Sequence, residues 1–338
     1  MQLPGIDIAQ HYYSVKPFIP RRLQITVRRW VAARKRALCR DIWPIDRKAG
    51  TSSEQSHDWP DNKRFALVLT HDVDTFKGHE NCHRLLQLEE DRGFRSSFNF
   101  VAAEYMVSRE LRHHIHERGF EVGVHGLFHN RKLYESRAAF REHAVRINDF
   151  LRDWQAAGFR SPCMYHNLEW LQDLEIEYDS STFDTDPFEP QPDGVGTIFP
   201  FCVEGTLGRI GYVELPYTVP QDFTVFILLN GKNIDVWKEK IDWIVERGGM
   251  ALLNTHPDYM CFNGSRPGFS EYPVAYYEDL LNYIQSRYEG DYWHPLPKEM
   301  ARFWKSNYGL LQGDCQKTDN QCTSPKAYPD ALPFDPND

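Results

Sequence analysis

Apolar residues follow two rhythms along this chain. Short runs of aliphatic and β-branched residues cover 64–71, 94–101, 120–125, 157–161, 176–181, 211–215 and 249–255, and predict strands. Between them, stretches with apolar residues every three or four positions predict helices over 79–92, 103–118, 133–156, 168–174, 233–247, 274–288 and 298–306. Continuous apolar strands separated by helices belong to a parallel sheet, open or closed into a barrel, so the fold class is α/β. The stretch from Asp184 to Gly211 is rich in Pro and Gly and has no period. It predicts a long loop with short strands over one end of the sheet.

Three further regions frame this alternation. Ile19-Pro20-Arg21-Arg22 opens a helical pattern with Leu23, Val27, Trp30 and Val31 on one face. Arg21, Arg22, Arg28, Arg29, Arg34, Lys35 and Arg36 surround that face. A basic amphipathic helix of this kind, over about 21–40, can lie on an anionic membrane surface. The alternative, favoured because such helices are common at domain surfaces, packs the apolar stripe on the main domain and leaves the basic face to solvent. Thr51–His57 is polar and aperiodic and reads as a linker. The expected organisation is a helical extension and linker over 1–58, a main domain over 59–308, and a polar, disordered tail over 309–338.

Several predicted strands end in polar clusters. Leu67-Val68-Leu69 runs into Thr70-His71-Asp72-Val73-Asp74; Val122-Gly123-Val124 runs into His125-Gly126-Leu127-Phe128-His129; Ala251-Leu252-Leu253 runs into Asn254-Thr255-His256-Pro257. Functional groups collect at the carboxyl edge of parallel sheets. Two imidazoles and a carboxylate suit a borderline divalent cation such as zinc, with a coordination place left for water. His125 and His129 are four apart, and Asp74 can supply the third ligand. Asp72 and Asp74 need different tasks, because two neighbouring carboxylates resist sharing charge without a cation. One can bind the metal while the other takes a proton from water. A metal-assisted hydrolase is the leading reading.

Composition narrows the partners. The chain has 338 residues, 41% of them hydrophobic and 14% aromatic, enough for a full core. No apolar run reaches the roughly eighteen residues of a membrane span, and the N-terminus lacks the order of a secretion signal, so a cytoplasmic site of action is expected, with peripheral membrane contact open. Residues 16–48 hold eleven Lys/Arg against two Asp, a net +9; with the chain at −9, the remainder carries −18. An acidic body makes nucleic acid an improbable partner. The seven cysteines are scattered without a C-x-x-C pair, which fits reduced thiols.

Four motifs occur in order over residues 62–260: Thr70-His71-Asp72-Val73-Asp74, His125-Gly126-Leu127-Phe128-His129, Phe159-Arg160-Ser161-Pro162 and Leu253-Asn254-Thr255-His256-Pro257. This ordered set resembles the NodB-homology polysaccharide deacetylases, carbohydrate esterase family four. The resemblance implies a distorted (β/α) barrel, a divalent metal (usually zinc, with Co²⁺, Ni²⁺, Fe²⁺ or Mn²⁺ as alternatives) and removal of acetyl groups from sugars. It assigns Asp74, His125 and His129 to the metal, Asp72 to the catalytic base, Arg160 to orienting that base, Pro162 to shaping its turn, and His256 to the general acid. The acid's carboxylate partner has no clean motif; Asp222-Phe223 is the candidate, with Glu214 behind it. His71 stands where many members have Phe, and Gly126 where Ser or Thr often follows the first histidine. His166, Pro162 and Tyr259 are candidate substrate contacts, Trp170 a sugar-stacking or core ring. Asp179, Asp184 and Asp186 are groove or turn residues. His79, His83, His113, His114 and His116 fit a solvated face. The pattern looks closest to members acting in bacterial surface-glycan assembly. Other readings are a hydrolase of another C–N amide, such as a formyl group or a small cyclic amide, and a barrel that binds glycan without turnover.

Overall fold

The computed structural model describes residues 21–50, 58–205, 209–264 and 266–315. The N-terminal twenty residues, the predicted linker 51–57 and the tail 316–338 lie outside the described residues.

The fold grows from β1 (Phe65–Val73), whose nine residues are all buried. Its aliphatic run lets it sit inside the sheet with neighbours on both sides. On one side it pairs in parallel with β8 (Met250–Thr255), Ala66 to His71 facing Met250 to Thr255. On the other it pairs with β2 (Ser97–Phe100) along its second half and with β9 (Tyr292–Trp293) at its start. From β2 the sheet continues in parallel through β3 (Glu121–Val124), β4 (Gly158–Phe159), β5 (Tyr178–Asp179) and β7 (Ile210–Glu214), with β6 (Phe201–Glu204) antiparallel at the edge. Isolated parallel bridges Phe183↔Tyr217 and Val219↔Leu253 carry the chain after β7 back to β8. The sheet therefore curls into a distorted barrel, as the alternating pattern predicts.

Helices cover the outside: α1 (Arg21–Leu38), α2 (Phe76–Glu90), α3 (Arg109–Glu117), α4 (Arg137–Trp154), α5 (Asp235–Arg247), α6 (Ala275–Tyr288) and α7 (Pro297–Cys315). Their starts and stops follow local chemistry. Ser108 and Ser136 accept the Leu111 and Ala139 amides, both at 3.1 Å, and cap α3 and α4. One face of each helix is buried, with Leu85, Ile115, Ile147, Ile244 and Leu281 among the covered side chains. Burying each is worth about 1.5–3 kcal/mol. α7 continues to Cys315, beyond residue 308.

α1 packs on the main domain, but not through the expected stripe. Leu23, Val27 and Trp30 are 54%, 50% and 56% exposed. Ile25 and Ala32, on the opposite face, are buried. The inward basic residues take their places against backbone carbonyls and an aromatic ring. Arg29 donates to the carbonyls of Ile227 (2.8 Å) and Phe269 (3.1 Å), and the Arg28 guanidinium lies 5.1 Å from the Phe223 ring centroid. Long basic side chains bury their stems while their heads stay paired. Assigning every arginine to water is what misplaced the face.

Candidate active site

All three polar strand ends emerge at the same edge of the barrel. β1 delivers Asp72 and Asp74, the turn after β3 delivers His125 and His129, and the segment after β8 delivers His256. With Tyr259 they line one pocket, together with Arg28, Glu189 and Phe223.

The Asp74 carboxylate and the two imidazoles offer ligand atoms that all lie within 4.8 Å of one another. Asp74 Oδ1 is 3.6 Å from His125 Nε2 and 3.4 Å from His129 Nε2, and all three side chains are buried. The neighbours set His125 up as a ligand. Its Nδ1 donates to the Arg160 carbonyl at 2.9 Å, which leaves the Nε2 lone pair facing Asp74. Burial also keeps this imidazole below its ordinary pKa, in the neutral form a cation needs. One carboxylate and two imidazoles at this spacing fit a divalent ion. Asp258 braces the turn from outside: its carboxylate accepts the Asp74 and Thr75 amides at 3.1 and 2.9 Å.

Gly126 and Gly123 explain two local choices. Gly126 has φ +72°, and a Cβ there would come within 2.6 Å of the Pro162 ring. The Gly in place of Ser or Thr therefore fits the turn this chain makes. At Gly123 a Cβ would meet Asn99 Oδ1 at 2.1 Å, so the missing side chain gives Asn99 its room.

That asparagine matters because it holds Asp72. Asn99 donates to Asp72 Oδ1 at 3.0 Å, Asn254 donates to Oδ2 at 2.7 Å, and Arg160 reaches Oδ1 at 3.2 Å. Burial opposes the Asp72 charge, but Arg160, His125, His256 and the Asn99 amide hold its carboxyl well below the usual range. Arg160 is itself wholly buried, and every nitrogen is used, by the Ser180 carbonyl and hydroxyl, Thr70 Oγ1 and Asn254 Oδ1, all at 2.7–2.8 Å. One residue thus orients the carboxylate with its side chain and His125 with its backbone.

His256 is bound in the opposite sense. Its Nδ1 donates to Asp222 Oδ1 at 2.7 Å, and its amide donates to Asp222 Oδ2 at 2.8 Å. Burial would lower its pKa, but Asp222, Asp74 and Asp72 together push it up to about 10. Asp222 is therefore the carboxylate beside this histidine, as expected. Glu214, the second candidate, does not take that place: its Oε1 accepts the Thr182 hydroxyl and amide.

The remaining predicted residues fall on both sides of the pocket wall. Tyr259 lines it, and its hydroxyl reaches Asp74 Oδ2 at 3.4 Å. His166 stays outside: its Nδ1 bonds the Met164 carbonyl at 3.0 Å, and its ring lies edge-on to Phe183. Pro162 packs on Gly126 rather than facing the pocket. Trp170 stacks on Tyr134 at 6.2 Å, a packing role. His71 is buried between Glu89 (2.8 Å) and Thr255 (2.7 Å), and Ser96 and Tyr277 also donate to Glu89. That network replaces the apolar contact a Phe would make. His79 and His116 are half-buried rather than solvated, His79 accepting the Ser108 amide at 3.1 Å. Asp179 serves a turn at Ser181, and Asp184 pairs with buried Lys240.

Sequence reasoning missed Asn99, Gln221, Asp258 and Glu189. Asn99 lies within a strand already assigned, and an amide beside a strand-end carboxylate was a usable signal. Glu189 gave none, because it comes from the aperiodic loop. Its Oε1 accepts Tyr217 at 2.6 Å and Gln221 at 2.7 Å, while the same tyrosine hydroxyl reaches Asp186 at 3.0 Å. The tyrosine hydroxyl is thus shared between the two carboxylates. Burial first, then the neighbouring Asp186, raises Glu189 to about 8.

The barrel can be set beside solved structures. It superposes on a protein assigned as a polysaccharide deacetylase from Mycobacterium smegmatis with a TM-score of 0.59 and 19% identity, over 82% of this chain and 99% of that one. A second such protein, from Pseudomonas aeruginosa PAO1, gives 0.58 and 18%, over 79% and 99%. The chain has the polysaccharide-deacetylase fold. PuuE allantoinase shares this fold as well, with a TM-score of 0.58 and 17% identity over 79% of this chain and 98% of that one. No family model matches the sequence, and no curated protein is similar to it.

Proposed function

We propose that this protein is a metal-dependent hydrolase that removes an N-acetyl or similar acyl group from an amino sugar, in bacterial surface polysaccharide biosynthesis. The observation that carries the reading is one pocket holding a three-ligand cluster with an ionised carboxylate and a protonated imidazole beside it. The deacetylase fold supports the sugar substrate.

Asp74, His125 and His129 would hold the cation, Zn²⁺ first among the candidates. Bound there, it would acidify a water and polarise the acyl oxygen. Asp72, fixed by Asn99, Asn254 and Arg160, accepts the proton as the water attacks the acyl carbon. His256, kept protonated by Asp222, gives its Nε2 proton to the departing nitrogen, so that an amine and not an amide anion leaves. Tyr259 borders the pocket and contacts the acyl-sugar. Arg160 keeps Asp72 ionised throughout.

Acetate and formate release from a panel of N-acylated amino sugars, with and without chelator, tests the reading. Chelator-sensitive acetate release is the expected result; a protein that retains no divalent ion and releases neither acid would leave a sugar-binding barrel instead. Hydrolysis of another C–N amide, a formyl group or a small cyclic amide, would use the same residues, and the shared fold with an allantoinase supports including cyclic amides in the panel.

A further inference from the structure

α1 is amphipathic twice over. Its inner face seats on the barrel through Ile25, Ala32, Arg28 and Arg29. Its outer face leaves an apolar ridge in the open: Leu23, Val27, Trp30 and Leu38 are 54%, 50%, 56% and 87% exposed. Arg22 and Arg34 are exposed beside them, and the Arg34 guanidinium lies 3.7 Å over the Trp30 ring. From Arg21 to Arg40 there is no acidic residue.

We propose that this outer ridge docks on an anionic lipid surface. The charge pattern selects that occupant. Residues 21–40 hold eight Lys/Arg and no acidic residue, while the rest of the chain carries −17, so a negative bilayer favours the helix over the rest of the surface. Indole and aliphatic groups flanked by arginines suit the headgroup boundary, where rings sink and guanidiniums stay with phosphates. A second copy of the chain fits less well. One helix's ridge of four apolar side chains falls short of the roughly 1,000 Å² that a stable protein interface buries. Arg22 also lines, with Lys77, Asp74, Tyr259, Phe269 and Glu271, an open cleft of about 400 Å³. Since that cleft shares Asp74 and Tyr259 with the pocket, docking would bring the way into the active site next to the lipid headgroups. The inference stands apart from the hydrolase reading, because binding is measured without turnover.

Flotation of the full chain tests it, with phosphatidylcholine vesicles containing about one third phosphatidylglycerol against phosphatidylcholine alone. The wild type is expected to float with the anionic vesicles only, and less as salt rises. The triple variant Leu23→Ser, Val27→Ser, Trp30→Ser should lose at least ~10-fold in partitioning while its circular dichroism and melting stay unchanged. Should that variant misfold, the pair Arg22→Glu, Arg34→Glu reads the same contact and should cut anionic binding comparably. A wild type that stays with the soluble fraction overturns the proposal. So do variants that float as well as the parent, or light scattering showing a dimer that the triple variant dissolves in the absence of vesicle binding.

Discussion

Two walls of one pocket use the same pair of side-chain types to opposite ends. On the β1 wall a carboxylate, Asp72, is surrounded by donors: a guanidinium and two amides. It stays ionised and can accept a proton. On the β8 wall a carboxylate, Asp222, is used up on the ring and amide of His256, and a tyrosine, Tyr272, adds a third donor at 2.9 Å. There the imidazole stays protonated and can give a proton. The difference lies in what faces each carboxylate, not in the residues themselves, and it leaves one wall able to accept a proton and the other able to give one.

The sharpest way to break the comparison is to remove what lies between the walls. Asp74→Ala or His129→Ala should abolish hydrolysis and drop bound divalent metal, read by elemental analysis beside acetate release. Next, Asp72→Asn and His256→Gln should each lower kcat by ~10²–10⁴-fold while metal content holds. If either variant also lost the metal, the two walls would not have separate tasks. Arg160→Met strips the β1 wall of its cation and leaves buried Asp72 exposed to its own desolvation. It should cost about 3–5 kcal/mol in urea unfolding.

Asp222→Asn tests the β8 wall more gently. His256 is raised to about 10 from its ordinary value, so it stabilises the fold fully at acid pH, and that contribution disappears as pH climbs through about 10. The substitution should flatten this dependence in pH-resolved melting and move the alkaline limb of kcat/KM down by ~1 pH unit or more. A cation at Asp74 offsets part of the same field, so metal removal should move the melting profile the other way. The smallest effect belongs to Gly126→Ser, which forces a side chain into a positive φ against Pro162 and should destabilise by about 1–3 kcal/mol, with the metal ligands unchanged.

Most of the barrel was legible because its strands are short, apolar and end in chemistry. The run into Asp72 and Asp74, and the run into His256, needed only polarity at a strand end to be placed at one edge. Asp222 was harder, since it lies outside any motif and is placed by the chain crossing from Tyr217 to Val219 against β8. Glu189 and the half-buried His79 were illegible for a related reason: their partners, Tyr217 and Ser108, are far away in sequence, and no local period records them. The face of α1 was misread because a helix with basic residues all around has two candidate seams, and the one with fewer apolar groups is the one that packs, its arginines on carbonyls and an aromatic ring.

The bridge between Val219 and Leu253 has one further effect. It is both the seam that closes the barrel and the anchor, three residues away, for the carboxylate that sets the proton affinity of His256. Loosening that seam would change when the histidine releases its proton well before the protein unravels, so a fraying fold would announce itself first as a drift in acidity.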